Sequence, residues 1–154
     1  MTQIVVDDAD PGCEPTPWFW VGPRFARWAE RGVNGFYLTN GGRAVDGEYV
    51  RFTPDLAAGR YEVVLPNLTP YEPERREAKV DGQPPPALAE YNAPCRFAVR
   101  VRHRHGDETV WMEPAKSRVI GEFEFEEGTD GFVEILAGGS TGQVLADAVI
   151  WKRL

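Results

Sequence analysis

The sequence has 154 residues, of which 17 are Lys or Arg and 24 are Asp or Glu, so its formal net charge is −7. This acidic balance argues against nucleic acid or an anionic membrane as the partner. No apolar run approaches the roughly 18 residues that would suggest a membrane span. The length predicts a single domain covering residues 1–154.

The first residues, MTQIVVDD, have neither the basic start nor the long apolar core of a signal peptide. The chain itself is therefore expected to be cytoplasmic, or to be a protein whose leader has been removed.

Alternation of apolar and polar residues predicts eight short strands, each with one face toward a core. In chain order they are Gln3–Asp7, Glu48–Phe52, Gly59–Leu65, Arg96–Arg102, Thr109–Met112, Glu122–Glu126, Phe132–Leu136 and Leu145–Trp151. Glycine-rich turns separate them. Many short strands at regular intervals are typical of an all-β fold, and we predict an antiparallel β-sandwich of jelly-roll type.

Two segments depart from this alternation. Pro23–Arg31 has a helical pattern and would serve equally well as a loop. Residues 66–94 contain seven prolines and a charged run, and they form an irregular insertion that is long for a compact domain.

Aspartates interrupt the first and last predicted strands, at Asp7, Asp8 and Asp10 in IVVDDADPG and at Asp147 in VLADAVI. A buried carboxylate needs hydrogen bonds, an opposite charge or a cation. Since the first and last strands of a sandwich often neighbour each other, one interpretation is that Asp7, Asp8 or Asp10 meets Asp147 around a hard cation such as calcium. The alternative is local capping, in which Asp8 and Asp10 bond the turn at Pro11–Gly12 and Asp147 holds a loop.

Aromatic residues in or near loops are the candidate ligand-binding residues. A flat ring suits the apolar C–H face of a sugar, whereas the alternative role is packing of large apolar area. The candidates are Trp18, Trp20, Tyr71, Tyr91 and Trp111.

Catalytic patterns are weak in this sequence. Its two histidines, His103 and His105, stand at a strand end, where they would form a metal site or simply a solvated terminus. No G-x-S-x-G motif occurs, and the glycine-rich Gly138–Gly142 fits a hairpin connection better than a phosphate loop. We therefore expect that the protein is not an enzyme. Whether Cys13 and Cys95 pair is left open by the sequence.

Six segments in order resemble the golvesin / xanthan-lyase C-terminal-type domain. They are IVVDDADPG followed by a Trp (Trp18 or Trp20), RFTPDLAAGRYEV, NAP, the His103–Gly106 turn, IGEFEFEEGTDGFVEI and VLADAVIW. The chain departs from the family pattern at Ser117, where the family has Trp, at Glu113–Pro114, where it has an Asn-Gln segment, and in the insertion 66–94.

The resemblance implies a non-catalytic module like a carbohydrate-binding module, which attaches to glycans or cell surfaces and belongs to secreted or surface proteins. It also implies a structural calcium near the first and last strands, consistent with Asp7, Asp8 and Asp147 as ligands. The departures and the solitary sandwich leave an alternative function open. In that alternative the protein is a structural or interaction module that forms a homo-oligomer or docks to a partner protein.

Overall fold

The computed structural model describes residues 3–17, 20–22, 37–40, 44–66, 96–113, 117–142 and 144–154. These residues form twelve strands and no helix. The strands are β1 (Gln3–Asp7), β2 (Cys13–Pro15), β3 (Trp20–Gly22), β4 (Tyr37–Thr39), β5 (Tyr49–Phe52), β6 (Gly59–Val64), β7 (Phe97–His103), β8 (Gly106–Met112), β9 (Val119–Phe125), β10 (Phe132–Leu136), β11 (Leu145–Ala146) and β12 (Ala148–Arg153). None of the described residues lies in a helix long and apolar enough to cross a membrane.

Two antiparallel sheets make up the sandwich. One has the order β1-β12-β6-β9, and the other has the order β2-β5-β10-β7-β8. The eight strands predicted from the sequence correspond to β1, β5 to β10 and β12. Counted in chain order, they lie first-eighth-third-sixth in one sheet and second-seventh-fourth-fifth in the other. This is the jelly-roll arrangement, so the predicted fold is confirmed.

The alternation pattern missed three short strands and one break. β2, β3 and β4 have three residues each, too few to show a period of two. The predicted strand Leu145–Trp151 is divided at Asp147: β11 pairs with β4 in a small third sheet, β11-β4-β3, whereas β12 pairs with β1 and β6. The segment Pro23–Arg31 and residues 67–94 of the insertion lie outside the described residues.

Both sheets contribute to one hydrophobic core. Phe52, Val99 and Ile135 of the five-stranded sheet and Val63 and Trp151 of the four-stranded sheet are 0–1% exposed. Burying each such side chain is worth about 1.5–3 kcal/mol. Because strand side chains alternate, the residues between these positions must lie on the outer faces of the sheets.

The outer face of the four-stranded sheet carries ordinary surface features. Arg60 Nη2 lies 2.8 Å from Glu122 Oε2, and both side chains are about half exposed. Val119 is 45% exposed on the same sheet. These residues therefore serve below as control positions for substitutions on the outer face of the five-stranded sheet.

Candidate functional site

The pairing of strands places oppositely charged side chains in one row on the outer face of the five-stranded sheet. Glu134 of β10 stands opposite Arg51 of β5 on one side and Arg100 of β7 on the other. Beyond them, Glu14 of β2 is opposite Arg51, and Thr109 of β8 is opposite Arg100. All five residues have the outward parity, because the positions next to them on β5, β7 and β10 face the core.

Glu134 is held between two guanidinium groups. Its Oε2 accepts a hydrogen bond from Arg51 Nε at 2.7 Å, and Arg51 Nη2 lies 2.6 Å away. Its Oε1 accepts from Arg100 Nε at 2.7 Å, with Arg100 Nη2 at 2.5 Å. The carboxylate is only 1% exposed although it points away from the core, because the two arginines cover it. We call Arg51, Glu134 and Arg100 the arginine clamp.

Phe132 forms an apolar floor beside the clamp. Its ring centroid lies 4.5 Å from the Arg51 guanidinium carbon, 5.5 Å from that of Arg100 and 5.4 Å from that of Arg102. These distances are in the range of cation–π attraction. Arg102 also makes a bidentate ion pair with Asp107 of β8, and this pair lies beside Phe132.

Trp111 provides the exposed aromatic surface of the same face. It lies in the edge strand β8 opposite Ala98 and is 45% exposed. The Arg96 guanidinium lies 4.2 Å from its ring centroid. Gly139, which has a positive φ of 74°, packs against the indole edge, and a Cβ at that glycine would come within 3.0 Å of Trp111 Cη2. The loop and Arg96 therefore fix the orientation of the indole.

Trp111 alone among the five predicted aromatic ligands has a described side chain. Trp18, Tyr71 and Tyr91 lie outside the described residues, and Trp20 is described only as part of the backbone of β3. Trp111 lies in β8, in agreement with the predicted strand Thr109–Met112. Gly138–Gly142 joins β10 to β11 in a different sheet, so the hairpin prediction for this segment was wrong.

The predicted aspartates come together where β1 ends and β11 gives way to β12. Asp7 pairs across to Ala148, and the backbone N–H of Asp8 donates to the carbonyl of Asp147 at 2.8 Å. One carboxylate oxygen from each of Asp7, Asp8 and Asp147 lies within 4.8 Å of the other two. Asp7 and Asp147 are each 3% exposed. We call these three residues the aspartate cluster.

Local capping accompanies this cluster, but the capping residues differ from those expected. The Asp10 carboxylate accepts a hydrogen bond from the Asp7 backbone N–H at 2.8 Å, and the Asp7 carboxylate accepts one from Ala9 N–H at 3.2 Å. Asp7 and Asp10 therefore cap the turn, in place of the predicted pair Asp8 and Asp10. Oδ1 of Asp8 is buried and accepts no hydrogen bond from the described residues.

The electrostatics of the cluster show how crowded its negative charges are. Burial, a hydrogen bond with Asp7 and repulsion from Asp7 and Asp147 raise the pKa of Asp8 to about 7. Burial, followed by repulsion from Asp8 and Asp7, raises the pKa of the Cys13 thiol to about 12. Three converging carboxylates of this kind fit a hard divalent cation, which would relieve their repulsion and use their oxygens as ligands.

His103 and His105 do not form a comparable cluster of metal-ligating side chains. The His103 ring stacks on Phe123 with centroids 5.2 Å apart, and its Nε2 lies 2.6 Å from Glu108 Oε2. His105 instead contacts Glu124. Within the described part of the chain, the aspartate cluster is the one group of three or more such side chains with metal-ligand spacing.

The arginine clamp was missed by the sequence analysis. The outward arginines of Arg96–Arg102 were visible in the alternation, and Glu134 follows the same parity in FVEIL. Their meeting depends on the pairing of β10 with two strands, and Arg51 is 83 residues away from Glu134. A charged residue in the middle of an otherwise apolar strand was the signal that could have indicated a buried ion pair.

Comparisons with known proteins identify the fold. No protein-family model and no curated protein matches the sequence. Among solved structures, a Paenibacillus xanthan lyase superposes on 99% of this chain with a TM-score of 0.69 and 21% identity, and the match covers 13% of that chain. The catalytic domain of a GH87 alpha-1,3-glucanase, in complex with tetrasaccharides, superposes on 100% of this chain with a TM-score of 0.50 and 8% identity, and the match covers 28% of that chain. This β-sandwich therefore resembles parts of two larger carbohydrate-active proteins.

Proposed function

We propose that the protein is a non-catalytic carbohydrate-binding module that attaches to a glycan or a cell surface through the outer face of its five-stranded sheet. The observation that carries the proposal is Trp111, an indole that is 45% exposed on a sheet face otherwise rich in charged hydrogen-bonding groups. A sugar needs this combination, because its C–H face is apolar and its rim carries hydroxyls. Ligand sites likewise combine aromatic surface with a few placed polar groups.

The fold supports the same proposal. Both structural neighbours named above are carbohydrate-active proteins, and this chain matches only a minor part of each. A minor part of a larger enzyme is the expected place for an accessory binding module. The absence of catalytic activity is part of the proposal, and incubation with a bound polysaccharide should release no reducing ends.

A glycan array followed by calorimetric titration tests the binding function. We expect the wild-type protein to bind at least one polysaccharide and Trp111→Ala to bind it at least ten-fold more weakly. Val119→Ala is the matched control, because Val119 is equally exposed, at 45%, on the other sheet. If plant, algal and bacterial polysaccharides all fail to bind, the proposal is wrong.

The alternative function, self-assembly or docking to a partner protein, predicts a different result. Light scattering coupled to size-exclusion chromatography would then show a tight oligomer, and the glycan array would remain silent. A monomer that binds glycans supports the carbohydrate function.

We further propose that the aspartate cluster is an architectural site for calcium. Asp7, Asp8 and Asp147 would supply carboxylate oxygens, and the ion would fix the end of β1 against the junction of β11 and β12. The ion would stabilise the fold and leave sugar contact to the face that carries Trp111.

A further inference from the structure

We propose that the arginine clamp makes the module selective for acidic glycans, by binding the carboxylate of a uronic acid or a similarly charged sugar. This inference rests on the proposed carbohydrate-binding function and names the class of glycan. The supporting observations are the geometry of the two guanidinium groups, their partial exposure and their distance from Trp111.

The two guanidinium groups keep donors available for a ligand. Arg51 and Arg100 each turn the Nε and Nη2 edge toward one oxygen of Glu134. This side-on contact does not use the Nη1 group of either arginine, although Nη1 of Arg100 also lies 3.6 Å from Asp107 Oδ2. The two side chains are 30% and 35% exposed. Arginine is suited to a carboxylate because its planar fork matches the two oxygens.

Stability alone does not account for the clamp. Replacing a buried ion pair by apolar residues of similar volume is often neutral or stabilising, because burying the charges costs much of what their attraction returns. A clamp does, however, restrict the rotamers of both arginines before any ligand arrives. Such pre-organisation lowers the entropy cost of binding.

The charge of the clamp is local. Two arginines and one glutamate give +2 − 1 = +1 in a chain whose net charge is −7. Asp107 pairs with Arg102 and also lies 3.6 Å from Arg100 Nη1, and Glu14 stands on the far side of Arg51. The excess positive charge of the clamp is thus bordered on both sides by acidic residues. Because the whole protein repels a polyanion, any preference for an acidic glycan must come from such a local group.

The clamp lies within reach of a sugar seated on Trp111. Trp111 is opposite Ala98, and Arg100 follows two residues later on the same strand and the same face. At about 3.3 Å per residue this separation is roughly 7 Å along the strand. A sugar on the indole therefore places its neighbour, or its own ring substituent, over Arg100 and the Phe132 floor.

Matched pairs of polysaccharides test the inference. Polyglucuronate and polygalacturonate are titrated into the wild-type protein alongside the same polymers after carboxyl reduction, which converts each uronic acid into a neutral sugar. We expect the acidic form of at least one polymer to bind at least ten-fold more tightly than its reduced form. We also expect this preference to shrink at high salt.

Variants then locate the preference. Arg100→Gln should weaken binding of the acidic polymer much more than binding of its reduced form, and so bring the acidic-over-neutral ratio to near one. Arg60→Gln, in the exposed pair with Glu122 on the other sheet, should keep the ratio. If Arg100→Gln does not fold, as judged by its melting curve, Arg100→Lys keeps the charge beside Glu134 and should still lose most of the preference.

The outcomes separate the two proposals. Equal binding of acidic and reduced polymers, or an unchanged ratio in a folded Arg100 variant, overturns the acidic selectivity and leaves the carbohydrate function standing. Binding of neither acidic nor neutral polysaccharides overturns both.

Discussion

The arginine clamp and the aspartate cluster differ in the charge of the groups that surround their buried carboxylates: guanidinium groups in the clamp, and further carboxylates in the cluster. Glu134 is 1% exposed, and the chain brings two guanidinium groups to it, one from each neighbouring strand. Asp7 and Asp147 are each 3% exposed, and the chain brings the carboxylate of Asp8 up to them. In the first region opposite charges attract, whereas in the second like charges are crowded together.

The two regions accordingly shift pKa values for different reasons. The hydrogen bond to Glu134 raises the pKa of Arg51, which keeps the pair charged. Burial and the neighbouring aspartates raise the pKa of Asp8 to about 7, which favours its neutral form. In the clamp the arginines already compensate the charge of the buried carboxylate, whereas the crowded aspartates become stable by taking up a proton or a cation.

The largest effect is expected from breaking the clamp. Glu134→Gln leaves two arginines facing each other without the carboxylate, and we expect a loss of about 2 kcal/mol. This is below the ~3–5 kcal/mol typical of a broken buried pair because both arginines are partly solvated. Differential scanning calorimetry should show a melting temperature lower by about 4–8 °C.

The matched control for this prediction is Glu122→Gln, which breaks the exposed pair with Arg60. We expect a change there of less than about 1 kcal/mol. Equal losses in the two variants would show that the clamp is energetically an ordinary surface pair.

The second effect should appear when calcium is added to the aspartate cluster. A ligand that binds only the native state, present at about ten times its Kd, stabilises it by about 1.4 kcal/mol. The melting temperature should therefore rise with calcium concentration in the wild-type protein and stay constant in Asp147→Asn. Coincident melting curves in chelator and in excess calcium would contradict a calcium site that exchanges its ion.

The fold was more predictable from the sequence than the two charged regions. Alternation in segments such as Phe97–Val101 and Phe132–Leu136 fixes which side chains face inward, and that is sufficient for eight strands and a sandwich. The meeting of Asp8 with Asp147 was also predictable, because the first and last strands of a jelly roll are neighbours.

The clamp required information that alternation does not contain. Parity placed Glu134 on the outer face, where a charged residue is normally solvated, yet it is buried. Its burial arises from Arg51 and Arg100 on two other strands, and the register of those strands is set by tertiary packing. The break at Asp147 is similar, because only the pairing of Leu145 with Thr39 shows that the chain changes sheets there.

The smallest effect is the pH dependence of stability that arises from Asp8. It shows whether the aspartate cluster takes up a proton or a cation. In metal-free protein its pKa is raised from 3.8 in its unperturbed state to about 7 in the fold. The native state therefore holds a proton that the unfolded chain has lost between these values. The stability that Asp8 contributes should be fully present below about pH 4, should fall as pH rises toward 7, and should level off above it.

Asp8→Asn removes this titration and isolates its contribution. In chelator we expect the variant to exceed the wild-type protein in stability by about 1 kcal/mol at pH 8, after discounting for the solvated half of the side chain, and by less at pH 5. With excess calcium the order at pH 8 should reverse, because the ion uses the ionised carboxylate that the variant lacks. Melting curves at both pH values, with and without calcium, measure this. A variant that is more stable by the same amount under all four conditions would indicate a cluster that responds to neither protons nor calcium, and would contradict both partners.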